Sequence, residues 1–211
     1  AKVIIAGRRE AALAEVAAAN PGMAYAVLDV ADAADITAFA ERIIAAHPDL
    51  KFLEELPGTK LLVKGNHDLW WGSLAKIRGL GLSGLHFLQN DSFSHEGISY
   101  CGTRGWLLPE DGPLSEEDEK IYKRELQRLE LSLKSASDER KVVLIHYPPL
   151  GREGQPSAFV GLMKAYGVEA CVYGHLHNRF DNRQIIEGMV DGIIFRLVSC
   201  DYLDFKLMKM W

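Results

Sequence analysis

Two kinds of apolar pattern alternate along the chain. Short continuous apolar runs closed by glycine, proline or polar turns suit strands buried on both faces, whereas apolar residues recurring every three or four positions suit helices with one inward face. KVIIAG at 2–7 and AYAVLDV at 24–30 are runs of the first kind. Between them EAALAEVAAAN predicts a helix stopped at Asn20, Pro21 and Gly22. Asp32 opens a second helix, with Ile36, Phe39, Ile43 and Ile44 on one face as far as Pro48. Residues Lys51 to Leu56 precede a Pro-Gly turn, KLLVKG is a third buried strand, and a short helix is predicted from Leu69 to Ile77. HFLQN and ISYCG read as strands linked by a polar turn from Asp91 to Gly97. The longest helical pattern runs from Ser115 to Ser135, with Ile121, Leu126, Leu129 and Leu133 inward and acidic residues at its N-terminal end, where the helix dipole favours them. KVVLIHYPP, EACVYGH, GIIFRLVSC and YLDFKLM complete the predicted strands.

Strands alternating with helices predict an α/β fold, a mixed sheet layered with helices. A composition step divides the 211 residues: 17 alanines stand in residues 1–50 and 5 in residues 51–211. Neither segment alone supplies a complete sheet, so each would leave an apolar face or an open edge. The expectation is one α/β domain over 1–211, built from segments 1–50 and 51–211 with different origins. A net charge of −5 argues against a nucleic-acid partner held on a broad basic face. No apolar run approaches the roughly 18 residues of a membrane helix, and no signal-peptide core opens the chain, so no membrane partner and a cytoplasmic location are expected. Cys101, Cys171 and Cys200 are too scattered for a disulfide framework and read as buried small hydrophobes.

Three strands end in donor side chains: KLLVK in Gly65-Asn66-His67-Asp68, KVVLI in His146, and EACVY in Gly174-His175-Leu176-His177. Ligands of open α/β sheets bind beyond the carboxyl ends of the strands, so these donors converge on one edge. Imidazole nitrogen with amide or carboxylate oxygen suits Mn, Fe, Zn or Ni. His175 and His177 are two apart and point the same way if extended. Gly65 and Gly174 would let the backbone turn toward a ligand. His47, His86 and His95 read as packed or solvated residues, and Trp70, Trp106 and Tyr147 as packing residues, with the wall of a substrate pocket as the alternative. Gly79 to Gly84 spells G-x-G-x-x-G, but between a helix and a strand, the reverse of a dinucleotide site.

GNHD at 65–68, His146 in LIHYPP and GHLH at 174–177 resemble, in order, three motifs of the calcineurin-like metallophosphoesterases, over about residues 52–205. The resemblance implies hydrolysis of a phosphate mono- or diester small molecule by metal-activated water. It implies that Asn66, His146 and His175 ligate one divalent metal, that His177 ligates another, and that His67 acts on the leaving oxygen, oriented by Asp68. The family's D-x-H and Gly-Asp motifs have no counterpart here. In their place residues 1–50 resemble an interior, Rossmann-like βαβα piece of a short-chain dehydrogenase/reductase, with VIIAGRRE as its second strand and cofactor-selecting turn and YAVLDVAD as its third strand. If this piece supplies the first two strand-helix units, Asp29 ends its strand near the bridging-carboxylate position, and Arg8 and Arg9 stand where metal ligands belong. The implied site holds one metal at most and is impaired. The alternative is a catalytically inactive chimeric or engineered scaffold.

Overall fold

The apolar runs of the second segment pair into a six-stranded sheet. In the computed structural model, which describes residues 3–7, 9–21, 23–27, 56–68, 71, 73–78, 84–177, 185–204 and 206–210, this sheet comprises β5 (Ser92–His95), β6 (Ile98–Thr103), β7 (Arg140–Ile145), β8 (Val168–Tyr173), β10 (Ile193–Leu197) and β9 (Gly188–Val190), in that order. Strands β6, β7, β8 and β10 are parallel, and β5 and β9 pair antiparallel at the two edges. The sheet is therefore mixed, as the pattern predicts.

Alternate residues of the central strands serve two faces. Cys101, Val143, Cys171 and Phe195 are fully buried on the face covered by α3 (Glu116–Lys134) and α4 (Ala158–Ala165), where Leu129, Leu133, Phe159 and Met163 meet them. Ile98, Val142 and Ala170 pack on the other face with Tyr100 and Leu144. Helix α3 begins as its sequence dictates. Ser115 Oγ accepts from the Asp118 amide and donates to the Asp118 carboxylate, a reciprocal cap. Four acidic residues fill the first turn and Lys134 stands in the last.

Beside the six-stranded sheet, β3 (Lys60–Leu62) and β4 (Leu85–Phe87) form a parallel pair. Its approach depends on Gly102 of β6. A Cβ there would stand 2.8 Å from Val63 Cγ1 and 2.9 Å from the Leu144 carbonyl oxygen, and the latter is backbone and cannot yield. Gly102→Ala is therefore expected to cost about 1–3 kcal/mol by overpacking. Urea unfolding checks this, and an unchanged midpoint would mean that β3 does not press on the sheet.

By contacts the chain falls into two compact units, Ala1–Gly58 with His67–Gly84, and Thr59–Asn66 with Leu85–Trp211. In the first, β1 (Val3–Gly7) and β2 (Met23–Val27) pair in parallel around α1 (Glu10–Ala19), and α2 (Leu74–Arg78) follows the buried Trp71. Arg8, Asp29, His47, Trp70, the helix expected from Asp32, most of Lys51 to Leu56 and most of Gly79 to Gly84 lie outside the described residues.

Three expectations need correction. The polar stretch from Asp91 to Gly97 contains β5, whose side chains alternate across an edge strand that water reaches, so few of them had to be apolar. YLDFKLM is no strand in its described residues. Its start is a turn closed by Leu203 N to Ser199 O at 3.0 Å and Asp204 N to Asp201 O at 3.2 Å, with Asp204 left-handed at φ 54°. Cys101 and Cys171 are buried but Cys200 is exposed, because it sits in that turn beyond the end of β10. No described helix is long and apolar enough to cross a membrane.

Candidate metal centre

Backbone pairing continues past the strand ends and brings the donor residues level. Ile145 of β7 stands opposite Tyr173 of β8, so His146 and Gly174 are the next residues out, and the Gly174 amide donates to the His146 carbonyl at 3.2 Å. Tyr173 is likewise level with Leu197 of β10, and the Val198 amide donates to the Tyr173 carbonyl at 2.8 Å. Ser199, Cys200 and Asp201 therefore leave the same edge of the sheet as His175 and His177. Asn66 follows β3 within the same unit.

Three of the predicted ligands come together. His146 Nε2 lies 2.7 Å from Asn66 Oδ1 and 3.1 Å from His175 Nδ1. Ligand atoms held at about 2.0–2.2 Å around a first-row divalent ion are separated by roughly 3 Å, so this spacing fits such an ion. The donor set fits too: two imidazole nitrogens and an amide oxygen suit Mn, Fe, Zn or Ni. No carboxylate belongs to the trio, so it offers no negative charge to a cation. Close by, the Ser199 hydroxyl is buried without a hydrogen-bond partner among the described residues. It stands 4.0 Å from where a Gly174 Cβ would be, polar capacity left open at this edge.

The backbone turns at His175 itself, at φ 72°, and not at Gly65 or Gly174, neither of which has a positive φ. A left-handed histidine is an uncommon conformation that surrounding structure must hold. Tyr147 supplies part of that hold, its ring 4.2 Å from the His175 ring between centroids, while His146 meets Tyr147 edge-on at 5.3 Å. The same turn ends any extended geometry, so His175 and His177 take different partners. His177 Nδ1 lies 3.0 Å from Asp201 Oδ1. His67 is exposed and Asp68 half-buried. His86 pairs with Asp91 at 3.1 Å, and His95 is exposed.

A cleft of about 310 Å³ opens beside His175, lined by Trp106, Leu108, Tyr147, Arg152 and Leu176. Its aromatic wall is braced from behind. The Arg104 guanidinium lies 4.3 Å over the Trp106 ring, and Arg104 in turn meets the buried Glu125. Burial pulls the Arg104 guanidinium below its usual range, and the Glu125 carboxylate opposes that shift. Glu125 also pairs with Arg128 at 2.8 Å and accepts from Thr103 Oγ1 at 2.9 Å. Trp106 Nε1 donates to Asp118 at 3.0 Å, which ties the wall to the start of α3.

Sequence reasoning passed over Cys200, Asp201 and Glu125. The first two were open to the rule applied to the other strands, since they follow the apolar run GIIFRLVS directly. Glu125 occupies an inward position of α3 between Tyr122 and Leu129, an anomaly in the helical pattern.

A family model described as calcineurin-like phosphoesterase matches residues 6–179. The match takes in most of the segment read as dehydrogenase-like and stops short of Cys200 and Asp201. No curated protein matches the chain.

Proposed function

We propose, because the chain belongs to the calcineurin-like phosphoesterase family of metal-dependent phosphoesterases, that it hydrolyses a phosphate mono- or diester at the Asn66, His146 and His175 cluster. The observation that carries the reading is the mutual approach of those three donor atoms at 2.7 and 3.1 Å on the carboxyl edge of the sheet. A divalent ion bound there supplies Lewis-acid polarisation and water activation. The chain's own residues do the rest. Asn66, His146 and His175 hold the ion, His67 gives a proton to the leaving oxygen, and Asp68 orients His67. Trp106 and Tyr147 hold the apolar part of the ester in the cleft beside His175, where Arg152 adds a positive charge.

In this reading the motif residues bind one metal, loosely. Three neutral ligands lack the carboxylates that offset cationic charge, and the D-x-H and Gly-Asp motifs that would supply them are missing from the sequence. Turnover is accordingly slower than at a complete two-metal site, where both attacking and leaving oxygens are clamped. The alanine-rich segment 1–50 is read as a Rossmann-like graft in place of the missing motifs. Its composition supports this, as does the parallel pairing of β1 with β2 around α1.

Hydrolysis of a nitrophenyl phosphate ester should therefore require added Mn²⁺ or Zn²⁺, stop with chelator, and weaken on acidification as protons compete for imidazole nitrogen. His67→Ala should lower turnover about a hundredfold without lowering metal content. Metal-independent turnover, or turnover unchanged by His67→Ala, would overturn the assignment. Absence of any turnover in metal-loaded protein would favour the inactive scaffold.

A further inference from the structure

Strands β8 and β10 run parallel side by side, and their ends release His177 from one and Cys200 with Asp201 from the other. An imidazole nitrogen, a thiol sulfur and a carboxylate oxygen from these residues all lie within 4.8 Å of one another. We infer that His177, Cys200 and Asp201 form a zinc site of their own, using none of the Asn66, His146 and His175 donors. The chemistry selects the metal. A thiolate together with an imidazole and one carboxylate suits borderline-soft Zn²⁺, whereas the hard ions Mg²⁺ and Ca²⁺ prefer oxygen alone.

Around tetrahedral zinc, such donors sit roughly 3.3–3.8 Å apart. His177 and Asp201 are already closer than that, at 3.0 Å. Cys200 is exposed, in a turn, with its sulfur within 4.8 Å of both partner atoms. Binding releases the thiol proton to solvent, and the thiolate and carboxylate then balance the two charges of the ion. Three protein ligands leave a fourth position open to water, as in zinc sites that are not purely structural. The remaining cysteines do not compete. Burial pushes the Cys101 thiol up to about 11 and the Cys171 thiol higher still, which keeps both protonated and enclosed.

The inference stands apart from the phosphoesterase reading, and its test does not use turnover. In the full chain under native conditions, Cys200 should be the thiol that reacts with a chromogenic disulfide, since Cys101 and Cys171 are buried. Zinc should slow that reaction, and chelator should restore it. With Co²⁺ in place of zinc, a near-ultraviolet thiolate-to-metal charge-transfer band should appear and be lost in Cys200→Ser. His177→Ala and Asp201→Asn should each raise the zinc concentration needed for protection at least about tenfold. His146→Ala should leave it unchanged. A thiol that zinc does not protect, protection that survives His177→Ala, or protection that depends on His146 would each overturn the site.

Discussion

Replacing His175 with glycine should lower metal-dependent hydrolysis by two to three orders of magnitude, the scale of removing one preorganised charge-stabilising element from a site. Glycine is the informative choice. It tolerates the left-handed backbone that His175 adopts at φ 72°, so the fold is retained while the imidazole is lost. The Nδ1 atom that stands 3.1 Å from His146 Nε2 disappears, and with it a third of the neutral donor set. Metal content should fall in parallel with turnover, and added metal should rescue turnover only in part. Alanine at 175 would remove the same donor, but its stability would fall as well, because alanine is strained at that backbone angle. A His175→Gly protein with full turnover and full metal content would show that the trio is packing and not a ligand set.

The second large effect concerns stability. Glu125 is fully buried and meets Arg104, Arg124 and Arg128, with the nearest contact 2.8 Å to Arg128. Arg104 is itself mostly enclosed and has a buried Nε without a partner among the described residues. Glu125→Ala leaves that guanidinium uncompensated and should cost about 3–5 kcal/mol. For a domain of this size the loss lowers the melting temperature on the order of 10 °C. The damage should also reach the cleft, since Arg104 stacks on Trp106 and its carbonyl accepts from the Tyr147 amide at 2.9 Å. Scanning calorimetry of the variant measures the first effect. A melting temperature within 2 °C or so of wild type would mean that water reaching the guanidinium takes the place of the carboxylate.

Much of the sheet was legible in advance because burial writes itself into apolar runs. KVVLIHYPP and EACVYGH cover β7 and β8 from their second residue on, GIIFRLVSC contains β10, and the pattern from Ser115 to Ser135 brackets α3 to within a residue at each end. Edge and turn elements write less. Strand β5 needs only one face against protein, so Ser92, Phe93, Ser94 and His95 read as a turn. The residues of the candidate site were legible as donors at strand ends, but not their grouping. Which donors meet depends on which strands are neighbours, and the insertion of β10 between β8 and β9 has no signature along the chain. That order sets Cys200 and Asp201 beside His177. The left-handed angle at His175 was equally silent, since glycine at 174 offered the more obvious place to turn.

The shortness of β3 has a consequence for how the site keeps itself assembled. Asn66 is carried by a three-residue strand paired to another of three residues, while His146 and His175 are anchored in the middle of six strands. Small peripheral pairs open locally at a lower free energy than the body of a domain. Each opening of β3 would carry one donor away and leave two behind. Occupancy of the cluster and closure of β3 are thus linked equilibria: an ion that binds all three donors holds the pair shut, and amide hydrogens of Lys60–Leu62 exchange with solvent more slowly in its presence. The donor drawn from the weakest part of the framework makes the centre a latch on its own periphery.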